Sequence, residues 1–123
     1  MLTCLVDSDW DDKLPLIQNT YWSYVDKLYA AGARNFAILN LPTYWRSPDI
    51  INRSNASLTA VAKHRNLLWN AELATRFQNF ERAHASDVFA KLVDVYGLWE
   101  SMYADPAEYG LQNVTEYCSA YYQ

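Results

Sequence analysis

The stretch Asn35-Phe36-Ala37-Ile38-Leu39-Asn40-Leu41-Pro42 constrains this chain more than any other. Its apolar residues do not alternate strictly with polar ones, and Gly32 and Pro42 bracket the run. This pattern predicts a strand buried on both faces, as in parallel sheets covered by helices. Pro42 cannot donate to a ladder and restrains the backbone of Leu41, so pairing is expected to stop there. The loop Thr43-Tyr44-Trp45-Arg46-Ser47-Pro48 then leaves the carboxyl end of the strand. In open α/β sheets that is the edge where ligands bind.

Either side of this strand the pattern is helical. From Leu14, apolar residues fall at Ile17, Tyr21, Tyr24, Val25, Leu28 and Tyr29, which predicts a helix over 14–31 with these residues on one stripe. Asp12 is the expected N-cap, Pro15 fits a first turn, and Gly32 suits a left-handed C′ position. Thr43 to Ala56 reads as a loop. Leu58, Val61, Leu68, Trp69, Leu73, Phe77 and Phe80 then predict a helix from Ser57 to Ala83. Such a helix runs roughly 40 Å, long enough that a break near Asn66 is expected. A second strand follows over 88–93, with Asp94 capping a short helix from Val95 to Ala104 and a turn over 105–110. The order predicts an α/β fold: a three-layer α/β/α arrangement with a parallel sheet and a right-handed crossover. Only about two strands and three helices are supplied, too few for a stable open sheet. Residues 1–123 therefore read as part of a larger domain.

Composition narrows the function. A net charge of −4 without a basic run argues against a nucleic-acid groove. No apolar run approaches the roughly 18 residues of a membrane span, and Met1 is not followed by a signal-peptide pattern. Cys4 and Cys118 stand alone near opposite ends, so they are buried thiols or each has a partner; neither alternative is settled by their positions. Sequons begin at Asn52, Asn55 and Asn113, where chance would give about one, and three lean toward a secretory chain.

Catalytic motifs are scarce. No HExxH, Walker loop, GxGxxG or GxSxG occurs, so no metal and no cofactor is expected. His64 sits between Lys63 and Arg65 and reads as a solvated helix residue. His84 follows Glu81 by three residues at a helix end, where a cation suits the dipole and an ordinary surface contact is expected. Val6-Asp7-Ser8 has valine where a Gly-Asp-Ser nucleophile block has glycine, and no strand precedes it to present the serine, so no catalytic role is expected of Ser8.

The remaining motifs resemble one family. Leu28-Tyr29-Ala30-Ala31-Gly32-Ala33-Arg34-Asn35-Phe36, Leu39-Asn40-Leu41-Pro42 and Arg46-Ser47-Pro48 resemble a segment of fungal GDSL-type (SGNH) esterases, notably acetylesterases of carbohydrate esterase family sixteen. Trp69-Asn70-Ala71-Glu72-Leu73, Phe80 with Ala83-His84, Asp94, Asp105-Pro106, Tyr109-Gly110, Asn113-Val114-Thr115 and Tyr117-Cys118 follow in the same order. The resemblance implies a flavodoxin-like α/β/α fold, an ester or acetylated carbohydrate as substrate, and an extracellular setting. It also implies a serine in an early Gly-Asp-Ser block, glycine and asparagine oxyanion donors, and a late Asp-x-x-His pair. None of these blocks matches a position here, so no catalytic residue is assigned. Thr43, Tyr44, Trp45 and Arg46 are the expected substrate rim, although Thr43-Tyr44-Trp45 departs from the family pattern. The chain is expected to be an inactive piece of such an esterase that self-associates; the competing reading is a non-catalytic carbohydrate-binding or interaction module.

Overall fold

The computed structural model describes residues 9–53 and 55–116. Ser8, Cys4 and Cys118 lie outside the described residues. In chain order come α1 (Trp10–Ala30), β1 (Asn35–Leu39), a 3-10 turn at Tyr44–Arg46, α2 (Pro48–Arg53), α3 (Ala56–Ala83), β2 (Phe89–Val93), α4 (Val95–Ala104) and a second 3-10 turn at Pro106–Tyr109. β1 and β2 pair in parallel, with Phe36 opposite Ala90 and Ile38 opposite Leu92. The chain is thus α/β with a two-stranded parallel sheet, as expected.

Helix α1 starts four residues before its expected position. Asp9 rather than Asp12 is the N-cap, and Pro15 lies inside the helix. Pro15 is exposed, so water can reach the carbonyl its missing N–H leaves free. At the other end the expected glycine is in place. Gly32 has φ 103°, its N–H reaches Tyr29 O, and Ala33 N–H reaches Leu28 O. Those two bonds are the Schellman pattern that a left-handed residue permits.

The buried stripe of α1 is a correction. Gln18, Trp22 and Val25 face the core with Tyr21 and Tyr29 beside them, whereas Ile17, Tyr24 and Leu28 are exposed. A fully buried glutamine is tolerable because both ends of its amide are used: Gln18 Nε2 donates to Trp69 O at 3.4 Å, and Gln18 Oε1 accepts from Trp22 Nε1 at 3.3 Å.

Helix α3 is unbroken across Asn66, contrary to the expected break, and its 28 residues are roofed onto the sheet by Leu73, Phe77 and Phe80. Asn55 caps it, its side chain accepting from Leu58 N–H at 3.0 Å. Part of the expected loop over 43–56 is helical: Pro48 opens α2, and Ser47 O accepts from Ile50 and Ile51.

The core joins Trp22 and Val25 of α1, Phe36 and Ile38 of β1, and Leu73, Phe77 and Phe80 of α3. Phe80 sits edge-on to Phe36 at 5.1 Å between ring centres. β1 therefore has one buried face, not two. Its other face carries Leu39, 57% exposed, beside Phe89 at 69% and Val93 at 37% on β2. Helices α1 and α3 both pack on the Phe36–Ile38 face, which leaves this second face open. At the amino ends of the strands Asp87 bonds Arg34 Nε and Tyr29 Oη, each at 3.0 Å, tying α1 to both strands.

Candidate functional site

Both strands deliver a polar residue at their carboxyl ends, and these two residues meet. Asn40 Nδ2 donates to Asp94 Oδ1 at 2.9 Å, while Asn40 Oδ1 accepts from Tyr96 N–H at 2.8 Å. Asp94 caps α4 as expected, its Oδ1 also accepting from Gly97 N–H at 2.9 Å. The Gly97 amide, and then the Asn40 amide, hold the Asp94 carboxyl below its ordinary value by favouring the charged form. Gly97 is needed for this approach, because a Cβ there would collide with the Asp94 carboxylate.

The next residue of the loop is gripped from α3. Leu41 N–H donates to Asn70 Oδ1 at 2.8 Å, and Asn70 Nδ2 donates to Leu41 O at 3.0 Å. Asn70 satisfies Leu41 as a neighbouring strand would, just where Pro42 ends the ladder. Farther along, Tyr44 Oη donates to Ala62 O at 3.2 Å, and burial pushes its phenol above the ordinary value. The loop thus runs antiparallel to α3, Leu41 at Asn70 and Tyr44 at Ala62. Residues 62, 66 and 70 share one helical face, which places Thr43 opposite Asn66. Both are fully buried, and Thr43 Oγ1 and both amide atoms of Asn66 lack a hydrogen-bond partner.

The four expected rim residues have different environments. Thr43 points into the protein and Tyr44 anchors the loop. The Trp45 ring lies under Lys63 Nζ at 4.8 Å. Arg46 reaches α4, pairing with Glu100 at 3.3 Å and lying over the Tyr103 ring at 4.3 Å. Beside this pair, Pro48, Trp99, Met102, Tyr103, Leu111 and Asn113 line an open cleft of about 330 Å³. Burial raises the Tyr103 phenol, opposed by Arg46.

Among the described residues no cluster of three or more His, Cys, Asp or Glu side chains could hold a metal. His64 is exposed on α3. His84 ends that helix and stacks 4.0 Å from Tyr29 and 4.8 Å from Phe80, at the opposite end of the strands from the loop. Of the sequon asparagines, Asn52 is exposed on α2 and Asn55 is exposed at the start of α3. Asn113 is exposed too, but its Nδ2 donates to Glu116 at 2.9 Å and its Oδ1 accepts from Thr115 N–H at 2.9 Å. Sequence reasoning missed Asn40, Asn70 and the Trp99–Tyr103 cleft as site elements. Asn70 had one legible signal, a poor helix former in mid-helix flanked by apolar residues.

No protein-family profile matches the chain. It is 31% identical over 118 residues to an acetylesterase of Thermothelomyces thermophilus, across 92% of this chain. It is 27% identical over 101 residues to a GDSL esterase/lipase of Arabidopsis thaliana, across 80% of this chain. The chain spans only 37% and 28% of the lengths of these relatives. The resemblance to GDSL-type, acetylesterase-like proteins is borne out, and it is a resemblance to part of each. No helix among the described residues is long and apolar enough to cross a membrane.

Proposed function

We propose that this chain is a partial GDSL-type ester hydrolase domain that contributes one wall of a substrate cleft and no catalytic group. The observation that carries the reading is the Asn40–Asp94 junction at the carboxyl ends of two parallel strands, with the loop 41–48 held beside it by Asn70. Ligands of open α/β sheets bind at that end. In an intact enzyme of this kind the substrate would be a small ester or an acetylated carbohydrate, with Tyr44, Trp45 and Arg46 near its rim. An extracellular setting, with glycan on the exposed sequons, goes with the same reading. Alone, such an incomplete domain self-associates, because one sheet edge is unpaired and the apolar face beside it is uncovered.

The test is hydrolysis of p-nitrophenyl acetate by the purified chain. The expected rate equals that of buffer, because a site without nucleophile, oxyanion donors and base retains little above the uncatalysed reaction. Steady turnover abolished by Ser8→Ala would overturn this.

The cleft beside Arg46 favours a second reading, a non-catalytic carbohydrate-binding or interaction module. Trp99 and Tyr103 offer amphipathic rings of the kind that take up ligand faces. Saturable quenching of tryptophan fluorescence by an acetylated oligosaccharide, lost in Trp99→Ala, would establish it.

A further inference from the structure

The cleft beside Arg46 carries its own attachment point for a sugar. Trp99, Met102 and Tyr103 of α4 line one part of it, and Leu111 and Val114 come from the segment after the second 3-10 turn. Asn113, exposed to solvent, stands on the rim between those two. It is the acceptor of the sequon Asn113-Val114-Thr115. The other two acceptors, Asn52 and Asn55, do not line this cleft.

The sequon is folded so that a substituent can be added without breaking it. Asn113 Oδ1 accepts from Thr115 N–H at 2.9 Å, Thr115 Oγ1 at 3.1 Å and Glu116 N–H at 3.1 Å. Its Nδ2 donates to Glu116 Oε2 at 2.9 Å. A sugar on Nδ2 replaces one of two hydrogens, so the remaining N–H and Oδ1 can keep all four bonds. Those bonds also restrict the direction in which an attached sugar leaves the amide. The cleft it would meet is suited to a sugar face. Trp99 and Tyr103 lie 6.2 Å apart between ring centres, and Trp99 and Leu111 are 36% and 40% exposed. A pyranose ring presents an apolar C–H face of the kind that such amphipathic aromatic surfaces cover. The volume of about 330 Å³ is at the small end for a ligand site and matches one ring better than a run of sugars.

From this we propose that Asn113 is a glycosylation site whose first sugar, an N-acetylglucosamine, folds back into the cleft and covers Trp99 and Leu111. The tether decides the occupant. One sugar ring stacked on two aromatic side chains binds weakly from solution, whereas a sugar attached at the rim meets the cleft at an effective concentration in the millimolar range or above. The attached sugar then excludes a free saccharide from the same rings. The inference rests on the extracellular setting proposed above.

For the test, the whole chain is secreted with a signal sequence from a glycosylating host, and each sequon is scored by peptide mass spectrometry. The expected result is glycan at Asn113, released by a glycan-cleaving amidase about tenfold or more slowly from the wild type than from Trp99→Ala or Leu111→Ser. Release at Asn52 or Asn55 should not differ among the three chains. After trimming to one sugar, the N-acetylglucosamine protons of the wild type should show nuclear Overhauser contacts to the Trp99 or Tyr103 ring, a measurement that needs no variant. Equal release from wild type and variants overturns the inference, as does a trimmed sugar without those contacts. Glycan at Asn52 or Asn55 with Asn113 bare overturns it and leaves the extracellular reading standing. All three bare refutes that reading, and the inference with it. Tryptophan quenching by a free acetylated oligosaccharide that is as strong in the glycosylated wild type as in Asn113→Gln makes a free saccharide the occupant and overturns it equally.

Discussion

Replacing Asn70 by alanine removes both bonds that hold Leu41, at 2.8 and 3.0 Å, and leaves its N–H and C=O facing an apolar methyl group. A net hydrogen bond contributes about 1 kcal/mol, and a buried group left without a partner costs about 1 to 3 kcal/mol. Leu41 and Asn70 are half-buried, so water recovers part of the loss. Two bonds lost under those conditions cost about 2.5 kcal/mol, and alanine restores about 0.5 kcal/mol through its better helix propensity. The expected net loss is about 2 kcal/mol, or roughly 30-fold in a local opening equilibrium. Amide exchange reads it directly. The Leu41 amide of Asn70→Ala should exchange about 30-fold faster, whereas the Asn40 amide, bonded to Val93 O, should change much less. Asn70→Asp keeps the acceptor for Leu41 N–H but sets a carboxylate against Leu41 O. It should therefore be more labile at neutral pH and recover in acid, where a protonated carboxyl can donate. Unchanged Leu41 exchange in Asn70→Ala would refute the clamp, and equal acceleration at Asn40 would mean that the loop and strand open as one unit.

Three other outcomes follow from the same end of the sheet. The Asp94 carboxyl is held below its ordinary value, so its contribution is fully present above that value and lost as pH falls through the lower folded one; the melting temperature should drop in acid, and Asp94→Asn, which keeps an acceptor for Gly97 N–H, should flatten that part of the profile. Gly97→Ala should lack the usual helix gain of about 1 kcal/mol, because its Cβ displaces the Asp94 carboxylate, and denaturant midpoints should show the gain returning in an Asp94→Ala background. In a secreted form Asn55 or Asn52 should carry glycan, since both are exposed and the Asn55 cap uses only Oδ1; an unchanged gel mobility after glycosidase treatment of the wild type, Asn52→Gln and Asn55→Gln would count against it.

Features that depend on neighbours along the chain were legible in the sequence. Gly32 ends α1 because a left-handed residue is needed there, and Asp94 caps α4 because its carboxylate reaches an amide three residues on. The pair of apolar runs separated by a long helix required a parallel connection, and β1 and β2 are parallel. The ordered motifs from Leu28 to Cys118 carried the esterase likeness, which needs only residue identity and order.

Tertiary structure decided what the helices bury. Ile17, Tyr24 and Leu28 form as good a stripe as the residues that pack inward, and only the position of α3, which offers Gln18 a carbonyl, selects the Gln18–Trp22–Val25 face. Periodicity gave no warning that α3 buries Arg65 and Asn66, because a polar residue in a helix looks solvated until something packs on it. Nor does an apolar strand record how many layers cover it. Phe36 and Leu39 look equally suited to a core, yet α1 and α3 lie on one side of the sheet, leaving Leu39 more than half exposed. The same holds for Asn70 and Leu41, 29 residues apart in the chain. Their bond depends on how a helix of 28 residues lies across the end of a strand, which only long-range packing sets.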